Sequence, residues 1–224
     1  MKKRSSKSIL FLGKINDPHT KEASLYLKNF FTSVEVYLGD WGDPFPNKIH
    51  KWEGDYIISY LSRWVLPKSI INSSSEAAIN FHPASPEYPG IGCNNFALYE
   101  NSKTYGATCH HMTESVDSGD IVAVSRFNVE PSDNVSSLLE KTYDHQFKLF
   151  KIIIKNILDG TQLPSSKEKW TRKPFTRSDF NDLCVITPEM SEEEIAKRIR
   201  ATSYKDWQPT LKIGKFSFEY KEHE

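Results

Sequence analysis

The chain has 224 residues, 38% of them hydrophobic and 12% aromatic, which suffices for a sizeable core and excludes a disordered or low-complexity protein. Lysine plus arginine balance aspartate plus glutamate at 29 each, so the formal net charge is zero and no broad basic face for nucleic acid is implied. Three cysteines, Cys93, Cys109 and Cys184, cannot all pair and show no C-x-x-C spacing. Reduced thiols and a cytoplasmic location are expected.

The opening Met1-Lys2-Lys3-Arg4 and the apolar Ile9 to Leu12 resemble a secretion signal in outline, but the run stops at Gly13. It is read as a first buried strand, Ser8 to Leu12. No run approaches the ~18 apolar residues of a membrane span. Thr20 is the expected cap of a helix running to about Phe31, with Leu25, Leu27, Phe30 and Phe31 available for burial, and Val34 to Leu38 reads as a second strand. Strand, helix, strand at this spacing predicts a right-handed βαβ unit and a parallel sheet. Gly13 is followed by Lys14-Ile15-Asn16-Asp17-Pro18, which lacks the G-x-G-x-x-G dinucleotide fingerprint.

Gly39 to Gly54 reads as an irregular loop and Asp55 to Leu61 as a central strand, with Ser62 to Pro67 at its carboxyl end, where α/β sheets bind ligands. A short helix near Lys68 to Ile71 follows. Ala77 to His82 is the next strand, ended by Pro83, and a stiff Pro/Gly-rich loop to Gly92 leads into a helix over Cys93 to Asn101. Tyr105 to Met112 and Ile121 to Phe127 are two further strands joined by the polar turn Thr113 to Asp120. Asp133 or Ser132 is the expected cap of a long amphipathic helix whose face carries Val135, Leu138, Leu139, Phe147, Phe150, Ile154, Ile157 and Leu158, ended by Gly160.

From Thr161 the composition changes. The reading is a catalytic domain over 1–160 and a small α+β module over 161–224. Capping boxes are expected at Thr176 and Ser191, and a terminal hairpin at Leu211 to Ile213 and Phe216 to Tyr220 around the Gly214-Lys215 turn.

The chemistry concentrates in Asn80 to Asp120. Residues two apart on a strand share a face, so Asn80 and His82 project together. An amide can steady a developing oxyanion, an imidazole can move a proton near pH 7, and a carboxylate such as Asp117 can orient the ring. Taken alone, Asn-x-His is more often a hydrogen-bonded structural pair. A metal site from His110, His111, Asp117 and Asp120 is disfavoured because adjacent strand residues face opposite ways, and the cysteines read as packing residues. Lys14, Asn16 and His19 can reach a diphosphate or sit in a solvated loop. Trp207, Phe216 and Tyr220 can stack a base or form a dimer interface.

Taken together, Asn80-Phe81-His82-Pro83, Tyr88-Pro89-Gly90, Tyr105 to Met112 and Val116-Asp117-Ser118-Gly119-Asp120-Ile121 resemble the formyltransferase family that uses N10-formyltetrahydrofolate. The resemblance covers roughly Ser8 to Leu158 and implies a Rossmann-like α/β fold with a mostly parallel sheet. It implies catalytic roles for Asn80, His82 and Asp117, and a pterin pocket between Tyr60 to Leu66 and Thr113 to Asp117, with Tyr60, Leu61, Arg63, Trp64, Thr113 and Val116 on the donor. Tyr88 and Gly90 belong to the loop that would wall the acceptor. Arg172 to Arg177, Ile186 to Met190 and Arg198 to Ser203 are similar to the C-terminal part of sugar N-formyltransferases. That subgroup implies a dTDP-linked amino-dideoxy sugar as acceptor, Lys14, Asn16, Trp207 and Tyr220 as candidate nucleotide contacts, no metal, and a homodimer through the hairpin. Neutral charge and the small tail argue against tRNA as acceptor. The family's Ser-Leu-Leu-Pro after the histidine is here Pro83-Ala84-Ser85-Pro86, and Cys109 stands where an aliphatic residue is common. A silent folate- or nucleotide-binding regulator and a formyltetrahydrofolate hydrolase are the alternatives on the same fold.

Overall fold

The structure, a computed structural model, describes residues 4–205 and 207–221. Nine strands and six α-helices are formed by these residues: β1 (Ser5–Lys14), α1 (Pro18–Phe30), β2 (Phe31–Gly39), β3 (Gly54–Tyr60), α2 (Lys68–Ile71), β4 (Ser74–His82), α3 (Cys93–Tyr99), β5 (Thr104–His111), β6 (Ile121–Asn128), α4 (Val135–Leu158), α5 (Arg177–Leu183), β7 (Val185–Ile186), α6 (Glu192–Thr202), β8 (Thr210–Ile213) and β9 (Phe216–Glu219). The first six strands form one sheet in the order β2-β1-β3-β4-β5-β6. Pairings from β2 to β4 are parallel, while β5 is antiparallel to both neighbours. This is the expected Rossmann-like, mostly parallel α/β fold. The chain leaves β1 toward β2 on one side and β3 on the other, and the crevice at such a switch point is where open α/β sheets bind ligands.

Both faces of the sheet are covered, which is why β1 and β3 read as continuous apolar runs rather than alternating ones. On one face Ile9, Phe11, Ile58, Tyr60, Ile79 and Phe81 pack against Leu27 of α1 and Phe150, Ile153, Ile154 and Ile157 of α4. On the other, Leu10, Leu12, Ile57 and Ala78 meet Ile49, Trp52, Leu66 and Ile70. Phe150 is fully buried among Tyr60, Phe81 and Tyr26, with ring centroids 5.1 to 6.0 Å away. Phe150→Ala is expected to cost about 3–5 kcal/mol in urea unfolding; a loss under about 1 kcal/mol would show that the helix does not seal this core.

Helix boundaries depart from the sequence reading at their caps. Asp17, not Thr20, is the N-cap of α1: its carboxylate accepts from the Thr20 backbone N–H at 2.9 Å, and Pro18 occupies the first turn, where its missing N–H costs nothing. Thr20 is buried and Leu25 is exposed, so the buried face is Thr20, Ala23, Ser24 and Leu27. In α4 the cap is Asn134, in a reciprocal capping box with Ser137. Asp133 is instead buried and bonded to Ser137 and Lys141. The face of α4 is less apolar than periodicity suggests, since Thr142 and Gln146 are buried there while Phe147 and Leu158 are only partly buried. No helix of the described residues is long and apolar enough to cross a membrane.

Beyond α4, residues 161–176 run back across the first sheet's end. Phe175, Phe180, Leu183 and Ala201 pack with Tyr88, Phe96, Leu98, Tyr105 and Leu138 in one cluster. A second sheet of three strands, β7-β8-β9, closes the described chain. Its hairpin pairs Ile213 with Phe216, and Gly214 takes φ +57, the positive first position that a type II′ turn requires.

Candidate active site

The carboxyl ends of β1, β3 and β4 open into a cleft of about 700 Å³. Asn80 and His82 enter it from one face of β4, as period two requires. The loop after His82 is pinned from β5: Tyr105 Oη donates to the Pro83 carbonyl at 3.2 Å and Thr108 Oγ1 to the Ala84 carbonyl at 2.7 Å. From below, the buried Gln146 amide of α4 donates to the Phe81 carbonyl at 2.7 Å, between the two functional residues. Tyr88 is anchored by its hydroxyl to Glu100, which Arg172 grips with two hydrogen bonds. These contacts fix the main chain on which the site is built.

The imidazole of His82 has both nitrogens engaged. Nε2 lies 3.0 Å from the Tyr88 carbonyl, which only accepts, so Nε2 carries hydrogen. Proton exchange is left to Nδ1, which faces Asp117 Oδ2 at 3.3 Å. A second histidine joins them. In the β4–β5 register Asn80 stands opposite His110, and Asn80 Nδ2 lies 3.1 Å from His110 Nε2. His110 Nδ1 donates to the His111 carbonyl at 2.8 Å, which makes Nε2 the acceptor and fixes the amide of Asn80 by this network. One Asn80 N–H is thus consumed and the other is free for a ligand. His110 Nε2 also lies 3.3 Å from Asp117 Oδ1, a hydrogen bond only when that ring carries both protons. Trp170 packs edge-on against His82 and His110 and ties itself down by donating to the Gly119 carbonyl at 2.8 Å.

Asp117 is held by a strained turn. Its φ is +44, unusual for a residue with a Cβ, and Gly119 passes so close to the His111 carbonyl that a side chain there would collide with it. The carboxylate accepts from the Gly90 N–H at 2.8 Å. Burial pushes the Asp117 carboxyl up, but the charge of His82, His110 and the Gly90 N–H outweigh it and hold the group down at about 2. Asp117 is therefore a fixed carboxylate at neutral pH. Histidine, carboxylate and free amide N–H converge on one cleft wall, the parts needed for proton transfer beside a developing oxyanion.

A family model described as formyl transferase matches residues 43–154. The chain belongs to the formyl transferase family. Among curated relatives, the methionyl-tRNA formyltransferase of Bacillus licheniformis is 28% identical over 124 residues, covering 55% of this chain and 39% of that protein. The chain spans less than half the length of the curated relatives it matches. Among solved structures, a sugar N-formyltransferase from Shewanella has a TM-score of 0.76 at 18% identity, with 96% of this chain and 97% of that chain covered. An N-formyltransferase from Helicobacter canadensis, in complex with folinic acid and dTDP-3-aminofucose, has a TM-score of 0.73 at 19% identity, covering 93% and 85%.

The structure places the other sequence candidates unevenly. Leu61, Arg63, Trp64, Thr113, Val116, Lys14 and Gly90 line the cleft. Leu61 does so with φ +56, a conformation that turns the chain sharply after β3. Tyr60 does not reach the cleft, being fully buried against Phe11, Phe81 and Phe150. Tyr88 contributes its carbonyl to His82 rather than its ring to a ligand, and Gly90 contributes its N–H to Asp117. Asn16, at φ +56, turns the loop after β1 and lies outside the lining; Trp207 and Tyr220 also lie outside it. Trp207 packs on Phe180, whose ring does line the cleft. Sequence reasoning gave His110 a supporting role only, placed Arg177 in a family-like segment without a site role, and passed over Trp170, Trp41 and Asn94. Only the register of β4 against β5 reveals His110. Among the described residues no cluster of histidine, cysteine, aspartate or glutamate could hold a metal ion.

Proposed function

We propose that the chain transfers a formyl group from N10-formyltetrahydrofolate to the amine of a nucleotide-linked amino-dideoxy sugar. The observation that carries this reading is the wiring of Asn80, His82, His110 and Asp117 on one cleft wall. The exposed Val65 and Val116, which line the cleft together with Leu61, suit a flat heterocycle, and about 700 Å³ is of the size that takes a drug-sized ligand. The Helicobacter canadensis relative in fold, bound to folinic acid and dTDP-3-aminofucose, supports both ligand classes.

In this reading the unprotonated sugar amine attacks the formyl carbon, forming the new C–N bond. The free N–H of Asn80 steadies the tetrahedral oxyanion. The amine proton passes, directly or through water, to Nδ1 of His82, and the imidazolium is stabilised by Asp117. Collapse breaks the bond to N10, which leaves with a proton as tetrahydrofolate. The acceptor is assigned as dTDP-linked, of the 4-amino-4,6-dideoxyglucose type, a precursor for O-antigen or a related glycan. The cytoplasm is the compartment where donor and nucleotide sugar would meet. Residues 161–224 act as a small module whose exposed Phe216 and Phe218 form a homodimer contact.

A panel of dTDP-linked 3-amino and 4-amino sugars incubated with the folate donor tests this. A new formamide with stoichiometric tetrahydrofolate is expected for the 4-amino type. Turnover of the 3-amino sugars alone would reassign the ring position, and formate release without an amine acceptor would replace transfer by hydrolysis.

A further inference from the structure

Three side chains on the cleft wall have no part in the chemistry above. Trp41 follows β2 and is 56% exposed, Arg63 follows β3, and Arg177 begins α5. All three line the cleft. The Arg63 guanidinium carbon lies 5.0 Å from the Trp41 ring centroid and that of Arg177 lies 5.8 Å from it. Three distant stretches thus bring two cations and an indole to one spot.

The two guanidinia differ from other arginines of the chain. Arg126 is paired with Glu87 and Glu168, Arg172 with Glu100, and Arg198 with Glu194 and three carbonyls. Arg63, by contrast, approaches only Asp40, at 3.9 Å, and its buried Nε has no hydrogen-bond partner among the described residues. Among the described residues the Arg177 guanidinium makes no ion pair and lies over the rings of Trp41 and Phe180. Stacking on an indole holds a guanidinium in place without using its N–H donors, which leaves them for an anion. A carboxylate or phosphate oxygen is what such planar forks recognise.

We propose that Arg63 and Arg177, stacked on Trp41, bind the dianionic end of a ligand lying in the cleft. Two ligands of the proposed reaction carry such an end: the diphosphate of the nucleotide sugar and the glutamate of the folate. The subsite rests on the function proposed above only for the identity of these ligands, so it is tested by binding, without turnover.

The wild-type chain, Arg177→Gln and Arg63→Gln are titrated calorimetrically with dTDP, with folinic acid and with the folinic acid analogue lacking glutamate. Arg177 is exposed and its side chain makes no hydrogen bond among the described residues, so Arg177→Gln keeps the fold, which a melting curve checks. Weakening of at least about tenfold is expected for one ligand in each variant, shrinking as salt is raised. Weakened dTDP assigns the subsite to the diphosphate. Weakened folinic acid, with no change for the analogue lacking glutamate, assigns it to the glutamate. Affinities for both ligands within twofold of wild type in both variants overturn the subsite alone. Failure of the wild-type chain to bind either ligand overturns it together with the proposed function.

Discussion

His82→Gln and Asn80→Ala are each expected to lower formyl transfer by roughly 10²-fold or more, with the fold retained. The glutamine at 82 carries its amide nitrogen at the level of the imidazole Nε2 and so keeps a donor for the Tyr88 carbonyl, which would otherwise be left unsatisfied, while it removes the Nδ1 that faces Asp117. Asn80→Ala removes the one free donor beside the oxyanion and leaves His110 Nε2 without its partner. Near-normal turnover in both variants would sink the mechanism. Asp117 adds a pH signature. Its carboxyl is held at about 2 against an ordinary 3.8, so it contributes stability that is fully present above about pH 4 and is lost as pH falls toward 2. The magnitude is on the order of 2 kcal/mol. In Asp117→Asn that acid-dependent component is expected to vanish, giving a shallower loss of stability between pH 4 and 2. An unchanged acid slope would mean that the carboxylate is not held by the two histidines and Gly90.

What could be read from the sequence follows from how local each constraint is. The Asn80-x-His82 pair was legible because period two is a property of one strand, and β4 ends where Pro83 removes a donor. Its partner His110 was not. Whether position 110 faces Asn80 depends on a register fixed by the span from Pro83 through α3 to β5, a distance over which no local rule operates. The caps tell the same story at shorter range. Asp17 and Thr20 are both competent N-caps, and Pro18, which favours the first helical turn, was the signal that decides between them. Gln146 was invisible for another reason: the apolar stripe of α4 describes its packing against the sheet, whereas Gln146 is there to satisfy one carbonyl of β4. The hairpin itself was read correctly from alternation, but the strand it pairs with was not: β7, two residues long and parallel to β8, is too short to leave a pattern.

Gly90→Ala is expected to be strongly damaging, and Gly42→Ala supplies its control. Both glycines have positive φ, +91 and +84, so both substitutions pay the conformational penalty of an L-residue there, about 1 kcal/mol. Gly42 has nothing within 4 Å of where a Cβ would go. At Gly90 the Cβ would stand 2.4 Å from the Phe175 carbonyl oxygen and 2.6 Å from the Phe175 nitrogen, both backbone atoms that cannot rotate away. Phe175 is locked there by two main-chain hydrogen bonds, its own N–H donated to the Pro89 carbonyl and its carbonyl accepting from Ile91, each 2.9 Å. Relief requires the segment 161–176, a strap across the sheet's end, to lift, and overpacking of this kind costs about 1–3 kcal/mol beyond the conformational penalty. The same shift carries the Gly90 N–H away from Asp117, removing one of the donors that keep the carboxyl ionised. Gly90→Ala is therefore expected to lose clearly more stability than Gly42→Ala in urea unfolding, to lose activity with it, and to protonate Asp117 at a higher pH. Equal destabilisation of the two variants would show that the strap yields freely and that Asp117 is positioned without it.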